Sequence, residues 1–144
     1  MTAKEYLGKA YRIDQRINSK LEQVSSLRSL ATKATSTLSD MPKGCRDVHS
    51  KENIIVKIID LEQTINSDID SLVDLKAEMV NVIKAIPNVE QQMILELRYL
   101  CFMSWEEIAI NLHFSIDNVF KLHKKALNSV QVPEHYSKIH RITV

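Results

Sequence analysis

The side chains best suited to chemistry lie close together around residue 120. A run of polar and large side chains follows Ser115, at spacings that place most of them on the outward face of one helix: Ile116, Asp117, Asn118, Phe120, Lys121, Lys124 and Lys125. An Asn amide can form two hydrogen bonds with adenine, and a Lys ammonium can reach guanine or a phosphate. These residue types therefore suit contacts with nucleic acid, although the three lysines alone would also suit a solvated helix face.

Two short helices joined by a tight turn must position these side chains. Ser104-Trp105-Glu106-Glu107 is a capping box that opens the first helix, His113-Phe114 makes the turn, and Ser115 caps the second helix. The predicted core between the two helices is apolar: Ile108, Ala109, Leu112, Val119 and Leu122. This arrangement is a helix-turn-helix. The backbone amides at the start of the first helix, beside Ser104 and Trp105, could also bind a phosphate.

A further short helix is predicted immediately before this pair. Pro87 ends the preceding helical pattern, and Asn88-Val89-Glu90-Gln91 resembles a new capping box. The predicted apolar face of this helix consists of Val89, Met93, Ile94, Leu97 and Leu100. The three helices together form a module over residues 87–130.

Residues 1–86 predict a long antiparallel helical hairpin. Thr2 and Glu5 form a capping box, and apolar residues then recur at spacings of three and four up to Leu38. Residues 39–50 contain Pro42 and Gly44 and predict a loop, after which a second helix runs from about 50 to 86. Both helices carry a heptad-like seam typical of a coiled coil. Three isoleucines widen the second seam and need a covering surface, either the C-terminal region or a second copy of the chain: Ile55, Ile69 and Ile83.

One polar residue interrupts each seam of the hairpin. Lys20 and Asp68 lie at equal distances from Gly44, so an antiparallel hairpin brings them near each other. The sequence predicts either an ion pair that fixes the register of the two helices or two side chains that each turn to solvent. The charge balance supports pairing of the helices, because residues 1–38 carry a net charge of +4 and residues 47–96 a net charge of −6.

Composition excludes several classes of protein. The 144 residues include two Gly and three Pro, whereas an average chain of this length has roughly 17 of these residues. So few turn residues exclude a β-sandwich, barrel or propeller, and two glycines cannot supply a dinucleotide-binding fingerprint. The fold class is therefore all-α.

No pattern typical of an enzyme or a metal site stands out. The five histidines show no metal-ligand spacing and are expected at the surface or in turns, Cys101 is expected to be buried, and Trp105 is expected to pack at a helix start. We expect no catalytic residue, cofactor or metal. No apolar run reaches the length of a membrane span and no signal peptide is recognisable, so we expect a cytoplasmic protein.

The C-terminal residues resemble a known family. Leu97-Arg98-Tyr99, Trp105-Glu106-Glu107-Ile108-Ala109 and Ala126-Leu127, together with Ser115 and Val119, look like region 4 of bacterial sigma factors. Over about residues 54–130 the chain is similar to small phage regulators of late transcription, the ArpU/RinA-like group, on motifs such as Lys57-Ile58-Ile59-Asp60-Leu61-Glu62 and Leu72-Val73-Asp74-Leu75-Lys76.

This resemblance implies that the Ser115–Lys125 helix enters the major groove of double-stranded DNA. It directs six side chains of that helix toward the DNA: Ile116, Asp117, Asn118, Phe120, Lys121 and Lys124. His113 occupies a turn position where the family usually has Gly, so we expect a positive φ there. Nothing before residue 86 resembles the part of a sigma factor that melts promoters. An activator that acts with host RNA polymerase therefore fits better than a complete sigma factor.

The resulting hypothesis is a sequence-specific DNA-binding transcription regulator of phage or prophage type. Residues 1–86 would form a spacer and homodimerisation hairpin, residues 87–130 the DNA-binding module, and residues 131–144 a tail that either docks on the hairpin or is disordered. The expected partners are double-stranded DNA, a second copy of the chain and bacterial RNA polymerase, with no membrane partner. The alternative is a helical protein-interaction or scaffold protein in which the helix-turn-helix is only a structural corner.

Overall fold

The computed structural model describes the backbone of residues 1–38 and 45–139, and side chains within residues 1–33 and 51–136. The described residues form helices and contain no β-strand, which confirms the all-α prediction. The α-helices are α1 (Ala3–Leu7), α2 (Lys9–Leu38), α3 (Cys45–Lys84), α4 (Val89–Leu95), α5 (Trp105–Leu112), α6 (Ile116–Ser129) and α7 (Glu134–Ile139). A single π-helical turn, Glu96–Leu100, follows α4. No helix in the described part of the chain combines the length and apolarity of a membrane-spanning segment.

These helices belong to two compact units. The first unit comprises Met1–Ile13 and Leu72–Val144, and the second comprises Asp14–Ser71. The boundary that the sequence predicts at residue 86 therefore lies inside the first unit. The N-terminal residues join this unit because α1 presents Tyr6 and Leu7 to its core, and both side chains are fully buried.

The core of the first unit combines side chains from α1, α3, α4, α5 and α6. Its largest fully buried members are apolar or aromatic: Tyr6, Leu7, Met79, Ile83, Ile94, Leu95, Ile108 and Val119. The capping box at the chain start forms as predicted, because Thr2 Oγ1 accepts from the Glu5 amide at 3.2 Å and Glu5 Oε2 accepts from the Thr2 amide at 3.0 Å. The predicted flank residue Ile83 is covered within this unit.

The apolar face predicted for α4 is partly wrong. Val89 and Met93 are 66% and 42% exposed, whereas Ile94 and Leu95 are fully buried. The π-helical turn that follows α4 is closed by the Cys101 amide, which donates to the Glu96 carbonyl at 3.0 Å, a five-residue step. Tyr99 lies within this turn, four residues after Leu95, and is buried in the same core.

The second unit is an antiparallel pairing of the α2 and α3 segments. Lys20 Nζ lies 2.5 Å from Asp68 Oδ2, so the two side chains form the predicted ion pair rather than each turning to solvent. A second, more exposed ion pair joins Arg28 and Glu62 at 2.6 Å. The sum of the residue numbers is nearly constant between the two pairs, as an antiparallel register requires. Three apolar side chains are buried between the segments: Ile17, Val24 and Ile65.

Two expectations about the hairpin change. Helix α3 begins at Cys45, so the predicted loop over 39–50 is too long at its C-terminal end, while residues 39–44 lie outside the described residues. Helix α3 also ends at Lys84 rather than at Ile86. In the second unit the flank residues Ile55 and Ile69 are exposed, so none of the described residues of this unit covers them.

The described part of the C-terminal tail docks within the first unit. The ring of Tyr136 lies 5.2 Å from the ring of Tyr6, and Lys9 Nζ lies 3.9 Å from the centre of the Tyr136 ring. His135 Nε2 lies 3.5 Å from Glu78 Oε2. Docking is therefore the correct alternative for residues 131–136, and residues 140–144 lie outside the described residues.

Candidate nucleic-acid interface

Helix α5 begins with the capping box that the sequence predicts. Ser104 Oγ accepts from the Glu107 amide at 3.2 Å, and Glu107 Oε2 accepts from the Ser104 amide at 3.1 Å. Glu106 and Glu107 place two carboxylates in the first turn. They complement the positive end of the helix dipole, so they compete with the phosphate that the sequence analysis suggested for this position.

The turn between α5 and α6 forms at His113 and Phe114. His113 has φ 57° and ψ 38°, which is the left-handed conformation expected at this position. Its amide donates to the Ile110 carbonyl at 3.3 Å, and the Phe114 amide donates to the Ala109 carbonyl at 3.0 Å. These bonds close the end of α5 and allow α6 to begin three residues later.

Ser115 caps the start of helix α6, and its Oγ accepts from the Asn118 amide at 3.2 Å. Val119 and Ala126 are buried in the core of the first unit, and Leu122 is half-buried at its edge. The opposite side of the helix is exposed and carries every predicted α6 contact residue: Ile116, Asp117, Asn118, Phe120, Lys121, Lys124 and Lys125. The structure thus brings these seven side chains and the exposed Ser115 together on one accessible surface, which we call the α6 face.

Trp105 is not part of the exposed α6 face. Its side chain is half-buried, and its ring centre lies 4.6 Å from that of His123 and 5.3 Å from that of Phe120. The Arg98 guanidinium lies 4.3 Å from the same ring. Trp105 therefore packs α5 against α6 and supports Phe120 from behind, as expected of a residue at a helix start.

His123 is a residue whose environment the sequence analysis predicted wrongly. It is buried, and its Nε2 shares a hydrogen bond of 2.7 Å with Tyr99 Oη. Burial, together with the nearby cations Lys4 and Arg98, lowers the pKa of His123 from 6.5 to about 4. Burial also raises the pKa of Tyr99. The available signal was spacing, since Val119, His123 and Ala126 follow one another at four and three residues.

Cys101 also differs from its prediction, because it is exposed rather than buried. It directly follows the π-helical turn, in which Tyr99 is the buried residue. Among the described residues, no three His, Cys, Asp or Glu side chains lie together as metal ligands.

The α6 face combines groups that can read bases with groups that attract phosphate. Asp117 and Asn118 lie in the first turn of the helix, which is the end that recognition helices present to base edges. Lys121, Lys124 and Lys125 follow on the next turns, and Asp117 is the only carboxylate among the α6 side chains. The face is therefore net positive and large enough to lie in a groove of DNA.

A comparison with protein families gives one match. The model of a family described as "Protein of unknown function (DUF1492)" matches residues 30–131, which include the end of α2 and all of α3, α4, α5 and α6. No curated protein and no solved structure matches the chain.

Proposed function

We propose that this chain, which belongs to the DUF1492 family, is a sequence-specific DNA-binding transcription regulator. The observation that carries the proposal is the α6 face, an exposed and net positive helix surface held on a buried core by a tight turn. In this proposal α6 lies in the major groove of double-stranded DNA, with Asn118 on a base edge and the three lysines on bases or phosphates.

The backbone conformation at the turn supports the same proposal. His113 holds a left-handed conformation that side chains adopt at a cost, and this conformation sets the crossing of α6 over α5. Ile116 and Phe120 are exposed apolar side chains on the α6 face. In a groove, such side chains can contact the methyl group of thymine, which lysines cannot read.

The resemblance to phage regulators of late transcription extends the proposal to a biological setting. We assign the chain to a phage or prophage activator that works with RNA polymerase in the cytoplasm of a bacterial host. The proposal keeps Ser104 and Trp105 as the elements that place α5 beside the DNA backbone. The carboxylates of Glu106 and Glu107 make this a weaker phosphate contact than the lysines provide.

Selection from a library of random duplex DNA, followed by gel-shift titration of the full chain at several salt concentrations, tests the proposal. We expect Lys121→Ala to weaken binding to all duplexes about equally and to reduce the salt slope by about one counterion. Asn118→Ala should instead relax the preference at one base position, at a cost of about five- to one-hundred-fold for the selected site.

Lys84→Ala is the matched control, because Lys84 is exposed at the end of α3 and lies outside the α6 face. This variant should bind selected DNA as the unmodified chain does. If the selection yields no duplex with salt-dependent affinity, the function is wrong. If binding occurs but neither α6 variant differs from the Lys84 control, the assignment of α6 is wrong.

The second unit supports homodimerisation as part of the proposal. Large apolar side chains are exposed along both of its helices: Leu21, Leu30, Ile55, Val56, Ile59 and Ile69. Ile55, Ile59 and Ile69 recur at spacings that place them along one side of α3. Exposed apolar surface of this kind is typical of an association surface, and a second copy offers the same stripe in return.

Sedimentation at several protein concentrations should show a dimer that Ile59→Asp dissociates. A strict monomer at every concentration would refute homodimerisation.

The same exposed stripe is the observation that favours the alternative function, a helical interaction protein. That alternative predicts a stable complex with another protein through the second unit and no salt-dependent binding of DNA. The gel-shift titration therefore separates the two functions, because only the regulator requires binding that Lys121→Ala weakens.

A further inference from the structure

A cavity of about 480 Å³ lies within the first unit, between α1, the start of α2, the π-helical turn and the start of α5. Four aromatic side chains line it: Tyr11, Tyr99, Phe102 and Trp105. Two cationic side chains, Lys4 and Arg98, line it as well, and none of the described residues that line it is acidic. Small-molecule sites typically have volumes of roughly 300–1,000 Å³ and combine aromatic walls with a few charged groups.

The wall of this cavity is held in unusual backbone conformations. Phe102 has φ 57°, a left-handed conformation that is rare for an aromatic residue. It lies two residues after the end of the π-helical turn that carries Arg98 and Tyr99. Strained residues and π-helical turns both concentrate at functional sites, because packing alone would favour relaxing them.

Further contacts fix the strained segment in place. Lys76 Nζ donates to the Leu100 carbonyl at 3.2 Å and lies 4.6 Å from the centre of the Phe102 ring. The Tyr11 ring meets the Phe102 ring edge-on at 5.6 Å between centres. The cavity therefore has rigid aromatic sides that could enclose a flat ring.

The cationic side of the cavity is also ordered. Arg98 Nη1 donates to the Met103 carbonyl at 2.9 Å, and its guanidinium lies on the Trp105 ring. Lys4 extends from α1 and is exposed, so its ammonium can move toward an occupant. Both cations lower the pKa of His123, which shows that their positive potential reaches the Trp105 end of the cavity.

We infer that this cavity is a binding site for a small molecule that carries a planar aromatic ring and an anionic group. The ring packs among Tyr11, Phe102 and Trp105, and the anionic group meets Arg98 and Lys4. Aromatic carboxylates and nucleoside monophosphates share this chemistry. Ser104 and Trp105, which the proposed function places beside DNA, also line this cavity. The tests below use the protein without DNA, so their outcome does not depend on DNA binding.

Trp105 supplies a direct reporter of occupancy, because it is the only tryptophan in the chain. Full-length protein is titrated with two aromatic anions, benzoate and AMP, while Trp105 fluorescence and heat of binding are followed. Benzamide and adenosine are the uncharged counterparts of these probes, and acetate and inorganic phosphate are the anions without a ring. We expect saturable binding of at least one aromatic anion, at least tenfold tighter than its uncharged and ring-free counterparts. The anion that binds identifies the ligand class, an aromatic carboxylate or a nucleoside monophosphate.

Substitutions in the cavity locate the binding. Lys4→Gln should weaken binding about threefold, as removal of an exposed charge does, and Arg98→Gln should weaken it tenfold or more. Tyr11→Leu tests the aromatic wall at a half-exposed position, where the risk to folding is small. Lys84→Gln is the matched control and should leave binding unchanged.

Three results would overturn the inference. One is the absence of saturable binding for both aromatic anions. Another is binding of phosphate or adenosine as tight as that of AMP, which would make the site a simple anion site or a simple apolar pocket. The third is an equal affinity for the aromatic anion in the Lys4→Gln, Tyr11→Leu and Lys84→Gln variants, which would place the bound molecule outside the cavity.

Discussion

The two compact units bury apolar side chains to different degrees. In the first unit, side chains such as Met79 and Ile108 are fully enclosed by five helices. Among the described side chains of the second unit, the most buried apolar ones keep 5%, 6% and 7% of their surface exposed: Ile65, Ile17 and Val24. Two paired helices cover only one stripe on each other, so complete enclosure needs a further layer. The first unit therefore has a fully enclosed core, whereas the buried apolar side chains described in the second unit each keep some exposed surface.

The largest effect is expected from substitutions that enlarge a cavity in each of the two cores. Met79→Ala should reduce the free energy of unfolding by about 4 kcal/mol, because the fully enclosed site leaves a cavity. Ile65→Ala in the second unit should cost about 2 kcal/mol, because water and neighbouring side chains can fill the open side. Urea unfolding followed by circular dichroism measures both, and equal losses would contradict the distinction between the units.

A pH effect is expected in the first unit because it contains the buried His123. Its pKa is about 4 when folded, against 6.5 for an ordinary histidine. The unfolded chain therefore takes up a proton first as the pH falls below 6.5. The stability that the neutral His123 contributes is therefore fully present above pH 6.5. It is lost progressively as the pH falls to about 4, by about 3 kcal/mol in total.

His123→Gln isolates this pH dependence. Its amide can still bond to Tyr99 Oη but cannot take up a proton, so the unfolding free energy of this variant should fall less between pH 6.5 and 4. His113→Asn is the control, because His113 is exposed and Asn tolerates the left-handed conformation. A pH dependence that is the same in all three proteins would show that His123 is not the cause.

The residues involved show what the sequence could and could not predict. Caps at Thr2, Ser104 and Ser115 were predictable, because each depends on side chains within three residues of the helix start. The exposed α6 face was predictable for a similar reason, since helix periodicity separates it from Val119. Local rules are sufficient wherever the determining contacts are close in sequence.

The rest depends on contacts between distant residues. The π-helical turn has no signature in local spacing, and Cys101, which follows it, is exposed while Tyr99 within it is buried. Burial of His123 then requires the Tyr99 hydroxyl, which lies 24 residues earlier. The inclusion of α1 in the first unit likewise depends on Tyr6, whose hydroxyl donates to Glu78 at 2.7 Å across 72 residues.

A smaller effect is expected from the ion pair in the second unit. Lys20 and Asp68 are each 18% exposed, so their attraction is only partly screened by water. The cycle of Lys20→Ala, Asp68→Ala and the double variant should give a coupling of about 1–2 kcal/mol. Arg28 and Glu62, which are more exposed, should give about 0.5 kcal/mol or less in the same cycle. Additive effects at Lys20 and Asp68 would mean that the pair contributes nothing to the register.

The smallest effect concerns backbone strain, which also separates the two units. Both described residues with positive φ outside glycine, Phe102 and His113, lie in the first unit. His113→Gly should stabilise the protein by about 0.5 kcal/mol, because Gly adopts the left-handed conformation without a side-chain clash. Gln63→Gly, at an exposed helical position of the second unit, should destabilise it by about 0.7 kcal/mol. Thermal unfolding should therefore shift in opposite directions for the same incoming residue. If the two shifts in unfolding temperature have opposite signs, dense packing in the first unit imposes on His113 a backbone conformation that its local preference disfavours.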